Sequence, residues 1–175
     1  MRETTGPKDA VRMMTHYMAW ANQVMLNTVS RLPPEEIVKP RQAAFGNIPH
    51  TFNHILVVED IFRCHLEGRP HGYTARNTET SPTFEEVRGR LGAMDQYYVE
   101  LVERSSIEEL NETIRFEFVG GGDGAMTRQE ILLHLANHAT YHRGFVSDML
   151  SQASVSADSN DLSVFLRDAW PSLRG

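Results

Sequence analysis

Three histidines spaced four residues apart, His134, His138 and His142, stand in the stretch HLANHATYHRG, which holds three of the chain's eight histidines. Residues at i and i+4 of a helix lie one turn apart on one face. Two imidazoles placed so can direct their nitrogens at one cation. On a wheel of ~100° per residue, Ile131, Leu135, Phe145, Val146 and Met149 share one side. His138 and His142 fall inside that apolar stripe, His134 lies on its flank, and Asn137 and Tyr141 lie further round. Neutral imidazoles on a core face need partners, since an unpaired buried polar group costs on the order of 1–3 kcal/mol. Those partners are either a shared metal ion or ordinary hydrogen bonds, and this helix alone leaves both open.

A third imidazole has to come from another element. The stretch IPHTFNHILVVEDIFRCHLEG carries His50, His54 and His65. His54 stands among Phe52, Ile55, Leu56 and Val58, so it is expected to point inward. Two such helices facing each other would complete a set of three imidazoles. Three histidines with one open position is the pattern of a catalytic zinc site, or of a nickel or iron site if the coordination expands. His50 reads as a surface residue of a first helical turn, His65 as solvent-facing, and His16 and His71 carry little information. Cys64 stands ten residues after His54 and reads as a small buried hydrophobe rather than a nucleophile.

These residues need long elements to hold them. Residues 8–31 carry Val11, Met14, Met18, Ala21 and Met25 at helical spacing and stop at Pro33-Pro34. A polar connection leads to a second helix, with Asn47 as N-cap, Pro49 in the first turn and Gly68 at the end. A loop follows, and a third helix opens at Ser81-Pro82 or Thr83, where Thr83 and Glu86 form a capping box. Val87, Leu91, Met94, Tyr98 and Leu101 give it an apolar face. Alternation in residues 113–118 predicts a short extended segment or hairpin arm, and Gly120 to Gly124 reads as a flexible turn rather than a phosphate loop. A second capping box, Thr127 with Glu130, opens the fourth helix, which runs to about Ser151. DLSVFLRDAW closes the chain as a short helix. The expectation is an all-α fold: one domain over residues 1–175, a four-helix bundle with a crossover connection and a short C-terminal helix.

Composition narrows the function. The chain has 175 residues, a formal charge of −6 and no Lys/Arg run, which speaks against nucleic-acid binding. One cysteine allows no internal disulfide and fits a cytoplasmic protein. No apolar run is long enough for a membrane span, and the N-terminus has no secretion-signal pattern.

FGNIPHTFNHILVVEDIF followed by ILLHLANHATYHRGFV resembles the DinB family. The matching marks are Asn53-His54 with Asp60, and Asn137 to Gly144, with AWAN (Ala19 to Asn22) and DLSVFLRD (Asp161 to Asp168) extending the likeness over nearly the whole chain. The resemblance implies an up-down-down-up bundle, a homodimer, and a divalent metal held by His54, His138 and His142. Zinc or nickel is the implied ion, with iron or manganese as further options. It also implies a small-molecule substrate, with a low-molecular-weight thiol as candidate, and a metal-dependent enzyme of S-transferase or hydrolase type. The competing reading is a non-catalytic metal-stabilised bundle in a stress response. His134, Tyr141 and Glu59 are the candidate acid–base residues, each set against a plain structural role; for Glu59 that role is a solvated helix-face carboxylate. Asp60 is expected to orient a ligand histidine or pair with Arg143. Arg143 is expected to make a salt bridge or, as the lesser option, to bind an anionic substrate.

Overall fold

A computed structural model of the chain describes residues 6–173. The first five residues, part of the stretch that lacks a secretion-signal pattern, lie outside the described residues. Four long helices carry the fold: α1 (Pro7–Val29), α3 (Ile48–Leu66), α4 (Phe84–Arg104) and α6 (Arg128–Gln152). Between α1 and α3 lies the short α2 (Pro34–Val38), and α5 (Ile107–Leu110) follows α4. The strands β1 (Thr113–Glu117) and β2 (Asp123–Thr127) precede α6, and α7 (Leu162–Asp168) and α8 (Trp170–Leu173) close the chain.

The helix boundaries follow local chemistry. The Asn47 side chain accepts the His50 backbone N–H at 2.8 Å, and Gly68, at φ 66°, takes the left-handed conformation that ends α3. Both expected capping boxes form, Thr83 with Glu86 and Thr127 with Glu130. α1 ends two residues before the predicted limit, at Val29, with the Ser30 N–H bonded to the Leu26 carbonyl.

α1 packs on α4 and α6, and α3 packs on the same two, so α1 and α3 occupy opposite corners of a square. Residue pairs give the directions. Arg12 meets Glu103 and Asn22 meets Asp95, so α1 and α4 run antiparallel. His54 meets His138 and Phe62 meets His134, so α3 and α6 run antiparallel. Ser81 reaches Asn47 and Tyr98 reaches Glu59, so α3 and α4 run parallel. The bundle is therefore up-down-down-up, and the α1–α3 connection crosses its end. Met25, Phe52, Leu91, Tyr98 and Leu135 sit in its core, each with no measurable exposure.

Residues 113–117 do extend, and they pair antiparallel with β2 in the register Ile114 to Met126 and Phe116 to Gly124. Asp123 and Gly124, expected in the turn, belong instead to β2. The Phe116 ring covers Gly124 so closely that a Cβ there would strike it. Gly120, Gly121 and Gly122 make the turn with φ of 98–101°. The C-terminal segment forms two short helices rather than one. Phe165 and Trp170 bury themselves against Tyr17 beside the first helix. Among the described residues no helix is long and apolar enough to cross a membrane.

Thr127 joins the hairpin to α6: its Oγ1 accepts the Glu130 N–H and its own N–H donates to the Glu130 carboxylate. Thr127→Ala is expected to lower unfolding free energy by about 1 kcal/mol, measured by denaturant titration followed by helical circular dichroism. An unchanged midpoint would mean the cap contributes nothing.

Candidate metal centre

α3 and α6 bring His54, His138 and His142 together. One ring nitrogen from each lies within 4.8 Å of the others, and this group could hold a metal ion. His54 Nε2 is 3.1 Å from His138 Nε2, and the His54 and His142 rings meet edge-on at 4.4 Å. His138 Nδ1 and His142 Nδ1 are buried without a hydrogen-bond partner. Among the described residues no fourth histidine, cysteine or carboxylate joins the group.

His54 is oriented from outside the bundle. Its Nδ1 lies 2.5 Å from the Arg76 carbonyl, an acceptor, so Nδ1 carries the proton and Nε2 presents its lone pair to the other two rings. Residues 77–78 are strapped down by Asn53, whose side-chain amide donates to Asn77 Oδ1 at 2.5 Å and to Thr78 Oγ1 at 2.7 Å. Phe45, from the loop before α3, stacks on His54 at 4.4 Å with 23° between planes. Phe45 and Arg76 escape sequence reasoning because both sit in irregular connections, where no periodicity marks a side chain as facing inward.

Burial lowers all three imidazoles below the ordinary value of 6.5. For His54 desolvation leads, opposed by the hydrogen bond to the Arg76 carbonyl and reinforced by the charge of Arg76. Burial and the neighbouring histidines bring His138 down to about 3, and burial with His54 brings His142 down to about 4. The rings are therefore neutral at physiological pH, the state a metal ligand requires.

The remaining candidates spread out. His134 is half-buried, one turn before His138, its ring 5.8 Å from His138 and 5.1 Å from Phe62. His138 is itself only part-buried, so the two sit together at the edge of the buried face rather than His138 lying mid-stripe. Tyr141 is 64% exposed and sets its ring edge-on against His142. His65 is not fully solvent-facing: it stacks on Phe116 at 4.7 Å. His50 stays at the first turn, with Nε2 2.9 Å from the Thr78 carbonyl. Cys64 is buried.

Three charged residues depart from expectation. Glu59 is not a solvated carboxylate: it has no measurable exposure, and neither carboxylate oxygen has a hydrogen-bond partner. Asp60 neither orients a ligand histidine nor meets Arg143; it pairs with Arg63 and accepts from the Tyr73 hydroxyl at 2.7 Å. Arg143 forms no direct salt bridge among the described residues. It is 1% exposed and donates to Asn22 Oδ1 and Thr140 Oγ1, both at 2.8 Å. Asn22 in turn donates to Asp95 at 2.9 Å. Burial pushes both Glu59 and Asp95 well above the usual carboxylate range; the Asp95 charge raises Glu59 further, and Arg143 opposes both shifts. A wheel does flag Asn22, Asp95 and Glu59 as polar residues on apolar faces, beside Met18 and Met25, Leu91 and Tyr98, and Ile55 and Phe62. It says nothing of which one answers which.

The sequence model of the DinB family matches residues 1–169. The chain belongs to the DinB family. It is 27% identical over 155 residues to Protein DinB of Bacillus subtilis (strain 168), which covers 86% of this chain and 90% of that one. A crystal structure of a DinB-like protein from Bacillus cereus ATCC 10987 superposes with a TM-score of 0.63, covering 82% of this chain and 91% of that one. At 18% identity that likeness shows the DinB-like helical fold.

Two outcomes test this electrostatic picture. A histidine whose folded pKa is lowered takes up protons more readily when unfolded, so its contribution to stability falls as pH drops below about 6.5. Metal-free protein should therefore lose stability relative to a His138→Leu/His142→Leu variant as pH falls from 7 toward 4; parallel curves would refute it. Arg143→Met leaves Asn22 Oδ1 and Thr140 Oγ1 without their buried donor, and the loss should be about 1–3 kcal/mol at neutral pH. A loss well below about 1 kcal/mol would show that those buried acceptors do not depend on the guanidinium.

Proposed function

We propose that this DinB-family chain binds a divalent metal ion through His54, His138 and His142 and works as a metal-dependent enzyme of thiol-dependent transferase or hydrolase type. The observation that carries the reading is the convergence of three neutral imidazoles from two helices, without a fourth protein ligand among the described residues. The donor set fits zinc or nickel, since imidazole nitrogen suits both. His138 presents Nε2 to His54 Nε2 at 3.1 Å, and no protein group competes for the buried Nδ1 atoms of His138 and His142. When bound, the ion would supply Lewis-acid chemistry, making a thiol or water lose its proton near neutral pH.

The chain's own residues do the rest. The Arg76 carbonyl holds His54 in the tautomer that directs Nε2 inward. Phe45 covers one side of His54 and keeps water from that face. His134, whose pKa is lowered by burial, is neutral at pH 7 and one turn from His138, placed to accept a proton from a small-molecule substrate. Tyr141, exposed at the edge of His142, is the second candidate for proton transfer. Glu59 is enclosed and held by burial toward its neutral form, which favours a part in the core. Assembly as a homodimer in the cytoplasm completes the proposal.

Elemental analysis of protein purified without chelators should find about one divalent ion per chain, the stoichiometry of one three-histidine site. His138→Ala should abolish uptake and thiol conjugation while its circular dichroism stays that of the metal-free wild type. Unfolding of the chelated wild type would instead favour the metal-stabilised, non-catalytic bundle.

A further inference from the structure

The side chains that touch the three histidines from outside the group are rings. Phe45 stacks on His54 at 4.4 Å and reaches His142 at 5.5 Å. Tyr141 and Phe145, one turn apart on α6, meet the His142 ring at 5.1 and 5.7 Å and each other at 5.1 Å. The ring neighbours of His138 are imidazoles, those of His54, His142 and His134. Among the described residues no ion pair reaches the three histidines, and their polar contacts are with each other and with the Arg76 carbonyl behind His54. Both aromatic sides are held in place. The loop that carries Phe45 is closed by the Arg41 N–H on the Gly46 carbonyl at 2.6 Å, and the Arg41 guanidinium grips the Glu36 carboxylate at 2.8 Å. Tyr141 is set by the backbone of α6, yet its ring is 64% exposed while His142 beside it is 7% exposed.

A large ring left in water against a buried imidazole has apolar surface that the chain itself does not cover, and it continues into the half-buried rings of Phe145 and Phe45. We propose that the substrate taken at this site carries an uncharged apolar group, of the kind a phenyl ring supplies, next to the atom that approaches the imidazoles, and that Tyr141, with Phe45 and Phe145, holds that group. An anionic or strongly hydrated group laid against these rings would lose water without gaining a hydrogen-bond partner. A cation is attracted by the face of an aromatic ring, but a divalent ion held by the neighbouring histidines repels it at close range. An apolar ring gains both the buried area and the edge-to-face or offset geometry that aromatic pairs favour. The inference rests on the metal reading above and adds the polarity of the substrate; it concerns the ring of Tyr141 and not its hydroxyl.

The test uses cobalt(II)-loaded full-length protein and two thiol probes, phenylmethanethiol and 2-mercaptoethanol, titrated by the cobalt absorption spectrum. Wild type should bind phenylmethanethiol at least about tenfold more tightly, since covering a phenyl group is worth more than a decade of affinity. Tyr141→Asn, at an exposed helix position, should leave cobalt uptake unchanged and lower that preference about three- to tenfold, the worth of one aromatic contact. Tyr141→Phe should keep the preference, because the ring makes the contact. Sedimentation of the same proteins reads the other use of an exposed ring, contact with a second copy of the chain: a dimer that dissociates in Tyr141→Asn while the preference stays assigns the ring to that contact and overturns the proposal. Normal cobalt uptake with no preference in wild type, a preference that survives Tyr141→Asn, or one that is lost in Tyr141→Phe, overturns this proposal alone. Absence of cobalt uptake by wild type overturns the metal reading and this proposal together.

Discussion

A guanidinium sealed among four helices must be answered by groups from all of them, and Arg143 sets that requirement for this fold. It donates to Asn22 on α1 and to Thr140 on its own helix, and Asn22 passes the connection to Asp95 on α4. Glu59 on α3 feels its charge from the remaining side. Removing such a cation from water costs several kcal/mol unless its neighbours are well placed. The rotation of α6 about its axis is therefore constrained, since any turn that exposes Arg143 abandons two buried carboxyl groups. His142 is the adjacent residue and His138 lies one turn earlier, so the same rotation aims both imidazoles at α3.

The second helix of the site answers from the outside. His54 points into the gap, and its tautomer is set by a backbone carbonyl from the loop after α3, which Asn53 ties down. Asn53 and His54 are neighbours in the chain but serve opposite ends of one arrangement: one fastens the loop, the other donates a hydrogen bond to its Arg76 carbonyl. The imidazoles remain neutral because burial and mutual repulsion oppose their protonation, which leaves nitrogen lone pairs available for a cation. The family match spans residues 1–169, and within that span the three imidazoles come close enough in space that they could hold a metal ion.

Much of the fold is written locally. The Asn47 cap with Pro49, the Thr83–Glu86 and Thr127–Glu130 boxes and Gly68 act within a few residues of chain, so their outcome is visible without the rest of the molecule. The three-and-four spacing of apolar residues on the long helices is equally local and predicts which faces are covered. The short helices α2 and α5 and the strand β2 leave no such mark, because too few residues are involved for a period to show. β2 in particular is created by its partner: Gly124 and Ala125 have little intrinsic preference for a strand, and β1 supplies their hydrogen bonds while Phe116 covers the glycine.

By itself the sequence determined an all-α chain, the apolar faces, the helix ends and the histidines available to meet. Only the tertiary structure decided how the charges were answered. Glu59 and Asp60 are adjacent on one helix, yet a rotation of about 100° between neighbours puts the first in a sealed core and the second against Arg63 and Tyr73. Arg143 met an asparagine that relays to a carboxylate, not a direct acidic partner, and the Arg76 carbonyl came to His54 on a loop without periodic pattern. Burial and electrostatic partnership depend on what arrives from distant parts of the chain, and local spacing carries no record of that arrival.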